Sequence, residues 1–534
     1  VIDLNGKSEK ELKDIIQSQD RLLSKPSTIT YNEKYNTSLK NKVITLVKDE
    51  NKSIDGGMKH LLLEGDNLHA CKALNYTHKD KIGLIIYDGP YNTGNDDFVY
   101  ADSFVKKDDT DRESKWIAYS YERIKECRDL LAKDGFIVVH IDDNELGNMT
   151  AIMNKEFGKE NHVTTHVWRK KATNGGGTSK GFDIVSQHEY LLVYAKNKEM
   201  CSVHGVEGDS NQFTFTDGKR RYHTNSPLQL TGHSTYSASL DYEIESPSGK
   251  KIKPRDCYGE KVRAQIDARQ TQRTWRYSKE QFEKLNKNGD IIWKKDKPFI
   301  KTYMNTPDGQ LKNMTSIIDD SDCFTTNDDN IEKIFGVRDV YPHPKPLELL
   351  KKYVLPLFSN ADSLILDLFG GSGTVAHAAI ELNENDGGTR KVITCQNNTE
   401  LENFTCEKIT QKRIEYAIDN SSKDNGLIYY KIICDDFDFT NESKSKFSDT
   451  YRHNLVNMIA MKEDCFEIKE EEEYFLLSGN VAKTIIAKSN FVKILPLLQM
   501  FGDPKIYMDF TDEYDGFVSY QFIDGIYTHM EKLV

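Results

Sequence analysis

Short apolar runs alternate with longer stretches of helical spacing along much of this chain. The apolar cores of "HLLLEGDNLHACKAL" (60–74), "KIGLIIYDGPY" (81–91) and "FIVVHIDDNE" (136–145) are too short for helices, and turn residues bound them. That pattern predicts buried strands. A turn at Gly65-Asp66 opens a helix through Leu74. Residues 116–135 carry apolar positions at helical spacing and stop at Asp134-Gly135, and another helix fits Leu146 to Phe157. Strands separated by helices predict βαβ units in a parallel sheet, where ligand chemistry gathers at the carboxyl ends of strands. Asp66, Asp88 and the Asp142-Asp143 pair all fall at such ends.

The pattern then changes twice. A glycine-rich loop (174–181) and a strand (189–197) lead into an irregular, polar stretch from about 200 to 330, which reads as an inserted domain whose surface matters more than its core. Regular alternation resumes with a proline-capped helix start in 341–357, a strand, glycine turn and helix in 363–383, and a strand in 390–400. Residues 1–55 read as a polar arm with helical spacing in "EKELKDIIQSQDRLL". The charge run 469–473, in an acidic C-terminal part, reads as a solvated face. The expected domains are 1–55, 56–200 with 335–425, 201–334, and 426–534.

Composition narrows the class. A chain of 534 residues exceeds one ordinary core. No apolar run approaches the roughly 20 residues that span a membrane. Nine scattered cysteines, never spaced C-x-x-C, argue against a disulfide framework and against a metal site. With no signal-peptide pattern, a cytoplasm is the expected compartment. Net charge is −12, yet residues 166–300 hold 24 Lys and Arg against 16 Asp and Glu, a balance that permits a basic groove inside an acidic protein.

Candidate chemistry sits in two turns. In "LDLFGGSGTVA" (366–376), Gly371, Gly373 and Ala376 match G-x-G-x-x-A between a strand and a helix. Such a turn lets backbone approach a ligand. Asp367 at the strand end suits a positive amine or sulfonium better than a pyrophosphate, and Glu400 is placed to grip a ribose diol. A nicotinamide-dependent oxidoreductase stays open on this motif, but it leaves the second turn, "DGPY" (88–91), unexplained.

"DLFGGSGT" resembles the cofactor motif of S-adenosylmethionine-dependent amino-methyltransferases, and "DGPYNTG" resembles their catalytic D-P-P-Y motif. The catalytic motif comes first, an order similar to the beta class of DNA adenine-N6 methyltransferases. "LLLEGDNLHACKAL", "LLAKDGFIVVHIDDNEL", "SQHEYLLVYAKNK", "HPKPLELLK", "EKITQKRIEYAI" and "HNLVNMIAMKED" extend the likeness to modification subunits of type III restriction-modification systems. It covers residues 58–200 and 335–420, and the C-terminal part more loosely.

The resemblance implies an α/β fold: a permuted Rossmann-like methyltransferase domain, an inserted target-recognition domain and a small C-terminal α+β domain. It implies S-adenosyl-L-methionine as cofactor, double-stranded DNA as substrate, a homodimer, and a separate helicase-endonuclease partner. By the same resemblance, Asp88 and the Gly89 carbonyl each accept one hydrogen of the target amine. Pro90 stiffens the turn, and Tyr91 stacks on an extruded base. Phe369, Gly371, Gly373 and Thr374 surround the methionine portion beside Asp367, and Asp66 lies near the adenine. Glu400 takes the ribose, with Asn398 as rival, and Lys345 and Pro346 help close the pocket. Lysines and arginines of 166–300 would meet phosphates, with Trp275, Tyr277 and Trp293 free to pack or stack.

A catalytically weakened recognition subunit and a cytosine-N4 methyltransferase are the rival readings; a serine at position 88 would favour cytosine. Gly89 departs from the family's usual proline. It still supplies a carbonyl, at a cost of about 0.5–1 kcal/mol in ordering. On sequence alone, Gly89→Pro is expected to raise a slowed rate.

Overall fold

The structure is a computed structural model. It describes residues 31–37, 39, 42–94, 99–100, 103–171, 186–207, 211–218, 220–224, 237–257, 274–304, 311–325, 330–337, 340–436, 449–471, 474–479, 483–487, 505–509, 517–523 and 526–533. The expected helix of residues 9–23 and the glycine-rich loop 174–181 lie outside this set. The chain divides into two compact units, Gly205–Met314 and the remainder.

The larger unit is built on a ten-stranded sheet. In chain order its strands are β1 (Lys42–Lys48), β2 (Met58–Glu64), β3 (Ile82–Tyr87), β4 (Leu131–Ile141), β5 (His162–Arg169), β6 (His188–Ala195), β7 (Ile317–Ile318), β8 (Leu364–Asp367), β9 (Lys391–Gln396) and β10 (Asn425–Asp436). Their spatial order is β1-β10-β2-β9-β8-β3-β4-β6-β5-β7. The run from β10 to β4 is parallel throughout, whereas β6 is antiparallel to both neighbours. Strands outside the expected ranges 56–200 and 335–425 join this same sheet: β1 and most of β10 pair with each other, and β7, from within the expected 201–334 insert, pairs with β5.

Alternation along the central strands explains the layers. Ile85, Tyr87, Ile137, Val139, Leu61 and Leu63 join one core with Leu74, Trp116 and Ile124, from helices α1 (Asn67–Thr77) and α2 (Arg112–Leu130). Their neighbours Leu84, Ile86, Val138 and Leu62 are equally buried on the other face. There the Phe136 ring meets Phe358, from a helical segment over residues 347–358. A strand buried on both faces must be apolar throughout, which is why these runs are continuous. Each such side chain contributes about 1.5–3 kcal/mol.

Helix α2 ends at Leu130, before the expected stop at Asp134-Gly135, and β4 follows at once. Gly135 belongs to the strand. A Cβ there would lie 2.8 Å from the Ile82 carbonyl, at the point where the β3–β4 register slips. Glycine therefore allows a close strand approach rather than a helix stop.

Three further helices complete the parts used below: α3 (Leu146–Phe157), α4 (Thr374–Asp386) and α5 (Lys412–Asp419). A C-terminal helix, Asp449–Lys462, precedes a six-stranded sheet whose first strand, Glu467–Glu470, is exposed at each residue. Among the described residues, no helix is long and apolar enough to cross a membrane.

The smaller unit has short two- and three-stranded sheets around Ile244, Ile252, Cys257, Trp275, Phe282 and Ile291. Its helix, Lys279–Lys287, starts with a reciprocal Ser278–Gln281 capping box. Trp275 is buried, with its indole N–H donated to the Tyr242 carbonyl at 2.8 Å, and Trp293 and Tyr277 pack at the edge of the same core. Packing, not base stacking, occupies Trp275.

Candidate functional site

Strands β3 and β8 lie side by side at the centre of the sheet, with Asp367 opposite Ile86. From β3 the chain passes through α2 to β4 on one side. From β8 it passes through α4 to β9 on the other. Opposite departures from adjacent parallel strands leave a crevice at their carboxyl ends. The two motifs singled out in the sequence, at Asp88 and Asp367, meet there.

The glycine turn is shaped by close contacts. Gly373 has φ +79° at the N-cap of α4, and a Cβ on it would stand 3.0 Å from the Thr410 carbonyl. The Gly371 N–H donates to Gln396 Oε1 at 2.7 Å. Thr374 is turned inward: its hydroxyl, with that of Ser372, takes hydrogen bonds from fully buried Arg413 at 2.8 and 3.0 Å. It holds the turn. The Phe369 ring leans edge-on against Tyr87, with centroids 4.8 Å apart.

Asp367 is 1% exposed, and its Oδ2 has no hydrogen-bond partner among the described residues. Burial, aided by the charge of Asp88, pushes its carboxyl up to about 8. A buried carboxyl with one unpartnered oxygen beside a glycine cradle fits a ligand that brings a positive amine.

The Asp88 turn is held by its neighbours. The Trp116 indole N–H donates to the Pro90 carbonyl at 2.7 Å. The Tyr91 hydroxyl lies 3.2 Å from Asp88 Oδ1 and 3.0 Å from Glu189 Oε2. Burial, with Asp88 and Glu189 beside it, lifts the phenol well above its usual range, so it stays a donor. Lys345, expected at the cofactor pocket, instead places Nζ 3.0 Å from Asp88 Oδ1, and 5.0 Å from the centre of the Tyr91 ring. Burial opposes its charge, but Asp88 and Glu189 outweigh burial and raise its pKa. Pro346 caps the helical segment from outside rather than filling its first turn.

Gly89 has no positive φ, so its backbone does not demand glycine. Space does: a Cβ there would lie 2.6 Å from Tyr87 Cε1 and 3.1 Å from Phe369 Cζ. The expected benefit of proline meets an occupied space.

Asp66 caps α1, accepting from the Leu68 and His69 N–H groups, and pairs with Arg123 Nη2 at 2.8 Å. Burial raises its pKa, but Arg123 and the capping bonds hold it below the usual range. Glu400 is exposed, four residues past the end of β9. Asn398 is engaged with Glu64 and the Glu407 N–H. The carboxylate nearer the crevice is Glu402, which takes a hydrogen bond from Gln396 Nε2 at 3.3 Å, on the same glutamine that holds Gly371. Burial raises its pKa, and its charge reaches Tyr119 and Tyr341.

Sequence reasoning missed Glu402, Tyr341 and Glu189. Asn403 and Phe404, at φ 53° and 55°, sit in the left-handed region in the turn that carries Glu402. Relative to the strand end usual in the family whose motifs it resembles, "QNNTE" carries one extra residue, the one sequence sign of an altered turn.

The N6/N4 methylase profile, described as "DNA methylase", matches residues 82–428. The StyLTI Mod subunit of a type III restriction-modification enzyme, from Salmonella typhimurium, is 32% identical over 383 residues, 65% of this chain and 54% of that protein. The match thus spans about half of that relative's length. The type II methyltransferase M.KpnI of Klebsiella pneumoniae is 31% identical, covering 67% of this chain and 87% of that one. Among solved structures, the cytosine-N4-specific PvuII DNA methyltransferase aligns with a TM-score of 0.33 at 12% identity, over 69% of this chain and 97% of that one.

Proposed function

The chain belongs to the N6/N4 DNA methylase family, and from that premise we propose that it methylates the exocyclic N6 amine of adenine in double-stranded DNA within a restriction-modification system. The observation that carries this reading is the meeting of Asp88 and Asp367 at the ends of adjacent strands. One carboxylate suits an amine acceptor, and the other a cationic donor.

The residues present fit S-adenosyl-L-methionine. Asp367 would take its amine, the turn at Gly371 and Gly373 its methionine portion, Phe369 its apolar edge, and Glu402 its ribose. When bound, the cofactor supplies an electrophilic methyl group on a sulfonium.

This chain's residues supply orientation. The adenine amine is a weak nucleophile because its lone pair is delocalised into the ring. Asp88 and the Gly89 carbonyl accept its two hydrogens, which aims the lone pair out of the ring plane. Tyr91, fixed by its hydroxyl, offers a ring face to an extruded base. An aspartate at residue 88, rather than serine, favours adenine over cytosine. The likeness to type III modification subunits extends the proposal to a homodimer in a prokaryotic cytoplasm, served by a separate helicase-endonuclease.

The test uses the purified chain, labelled S-adenosyl-L-methionine and random duplex DNA, with mass spectrometry of the digested nucleosides. N6-methyladenine is expected. N4-methylcytosine would overturn the choice of base. Binding to DNA with no methylated base would favour a recognition subunit.

A further inference from the structure

Glu189 is a buried carboxylate that the proposed reaction does not use. It lies on β6, in a strand antiparallel to its neighbours, and only the fold brings it to the Asp88 turn. Its Oε1 takes the Lys170 ammonium at 2.8 Å. Its Oε2 lies 3.0 Å from the Tyr91 hydroxyl and 3.8 Å from Lys345 Nζ. Lys345 therefore stands between two carboxylates, bonded to Asp88 at 3.0 Å and just short of Glu189. The side chains of Asp88, Lys345, Glu189 and Lys170 are 23%, 18%, 11% and 25% exposed, so solvent and salt screen them weakly.

This arrangement poses a problem for amine methylation. Asp88 must offer an oxygen to the amine, yet the Lys345 ammonium and the Tyr91 hydroxyl both sit on Oδ1. The amine nitrogen gains positive charge as it attacks, and an ammonium on the same carboxylate both competes for the acceptor and repels that charge. A second anion within a short side-chain movement resolves it. Two carboxylates and two ammonium groups balance in the resting cluster. With Lys345 shifted to Glu189, Asp88 alone faces the developing cation.

We propose that Glu189 is a positioning residue that draws Lys345 off Asp88 when the target amine arrives. This rests on the reading of Asp88 as the amine acceptor. Lys170 anchors Glu189 from the far side, so the lysine moves and the glutamate stays. Burial raises the Glu189 pKa, but Lys345 and Lys170 outweigh burial and keep it ionised for this task.

The test is a kinetic cycle on duplex DNA with Glu189→Gln, Lys345→Met and the double variant, with cofactor affinity and melting measured alongside. Glu189→Gln should lower kcat by about tenfold or more, with KM for DNA changed less than about threefold. Adding Lys345→Met should restore kcat to within about threefold of Lys345→Met alone, because no cation then remains to be moved. A clamp that merely holds the fold predicts no rescue, and additive losses would overturn the proposal. So would an unchanged kcat in Glu189→Gln. If Glu189→Gln does not fold, Glu189→Asp keeps the charge but shortens its reach. A smaller kcat loss rescued by Lys345→Met is then expected, and no rescue overturns the proposal. A wild-type chain that methylates no base overturns the underlying reaction and the proposal with it. A methylating wild type without rescue overturns the proposal alone.

Discussion

The Tyr87 ring stands where a side chain on residue 89 would go, with Cε1 2.6 Å from that Cβ position. Tyr87 is 1% exposed and cannot swing into solvent. Gly89→Pro alone should therefore destabilise the fold by about 1–3 kcal/mol through overpacking, and lower the methylation rate. Tyr87→Leu with Gly89→Pro should recover at least half of that loss. Thermal melting of the two single variants and the double variant measures the interaction between the positions.

Asp367 ties stability to pH. Its folded pKa, about 8, lies above the ordinary carboxylate value of 3.8, so between these values the folded chain holds a proton that the unfolded chain has lost. Its contribution is fully present below pH about 4 and is lost as pH rises to about 8. Asp367→Asn should flatten that part of a melting-temperature profile. Affinity for S-adenosyl-L-methionine should rise with pH over the same window in the wild type, because the cationic amine favours the ionised acid. The slope should vanish in the variant, by calorimetry.

The two acids after β9 make opposite forecasts. Glu402→Gln should weaken cofactor binding by about tenfold, as expected for a lost charged hydrogen bond. Glu400→Gln, at an exposed turn, should leave it within about twofold. Equal effects would return the ribose role to Glu400.

Arg413 is fully buried, and two of its hydrogen bonds hold Ser372 and Thr374 in the glycine turn. Arg413→Met should cost about 3–5 kcal/mol of stability, because the turn's hydroxyls and His377 lose their donor. Cofactor affinity should fall with it, while Arg413→Lys should recover only part. Chemical denaturation and calorimetry separate the two effects.

What the sequence disclosed was local. Asp88 and Asp367 were legible because each ends a short apolar run, and the run itself marks the strand. The loss of periodicity begins near the start of the smaller unit, Gly205–Met314, but runs on past its end toward residue 330. Glu189 was not legible, because it lies within a strand whose pattern says only that it is buried, and antiparallel pairing across β4 brings it to the site. Glu402 was not, because it lies in a turn whose next two residues, Asn403 and Phe404, are both left-handed, and a phenylalanine does not announce that conformation. The stop placed at Asp134-Gly135 failed because a glycine that admits a close strand reads, in sequence, like a glycine that ends a helix.

The β3–β8 pairing joins residues about 280 positions apart. At roughly 5–20 residues per second, a ribosome exposes the Asp88 turn about a quarter of a minute to a minute before the strand that completes its crevice. A nascent or prematurely terminated chain therefore carries an acceptor motif without a donor pocket, and translation itself withholds the site until β8 has emerged.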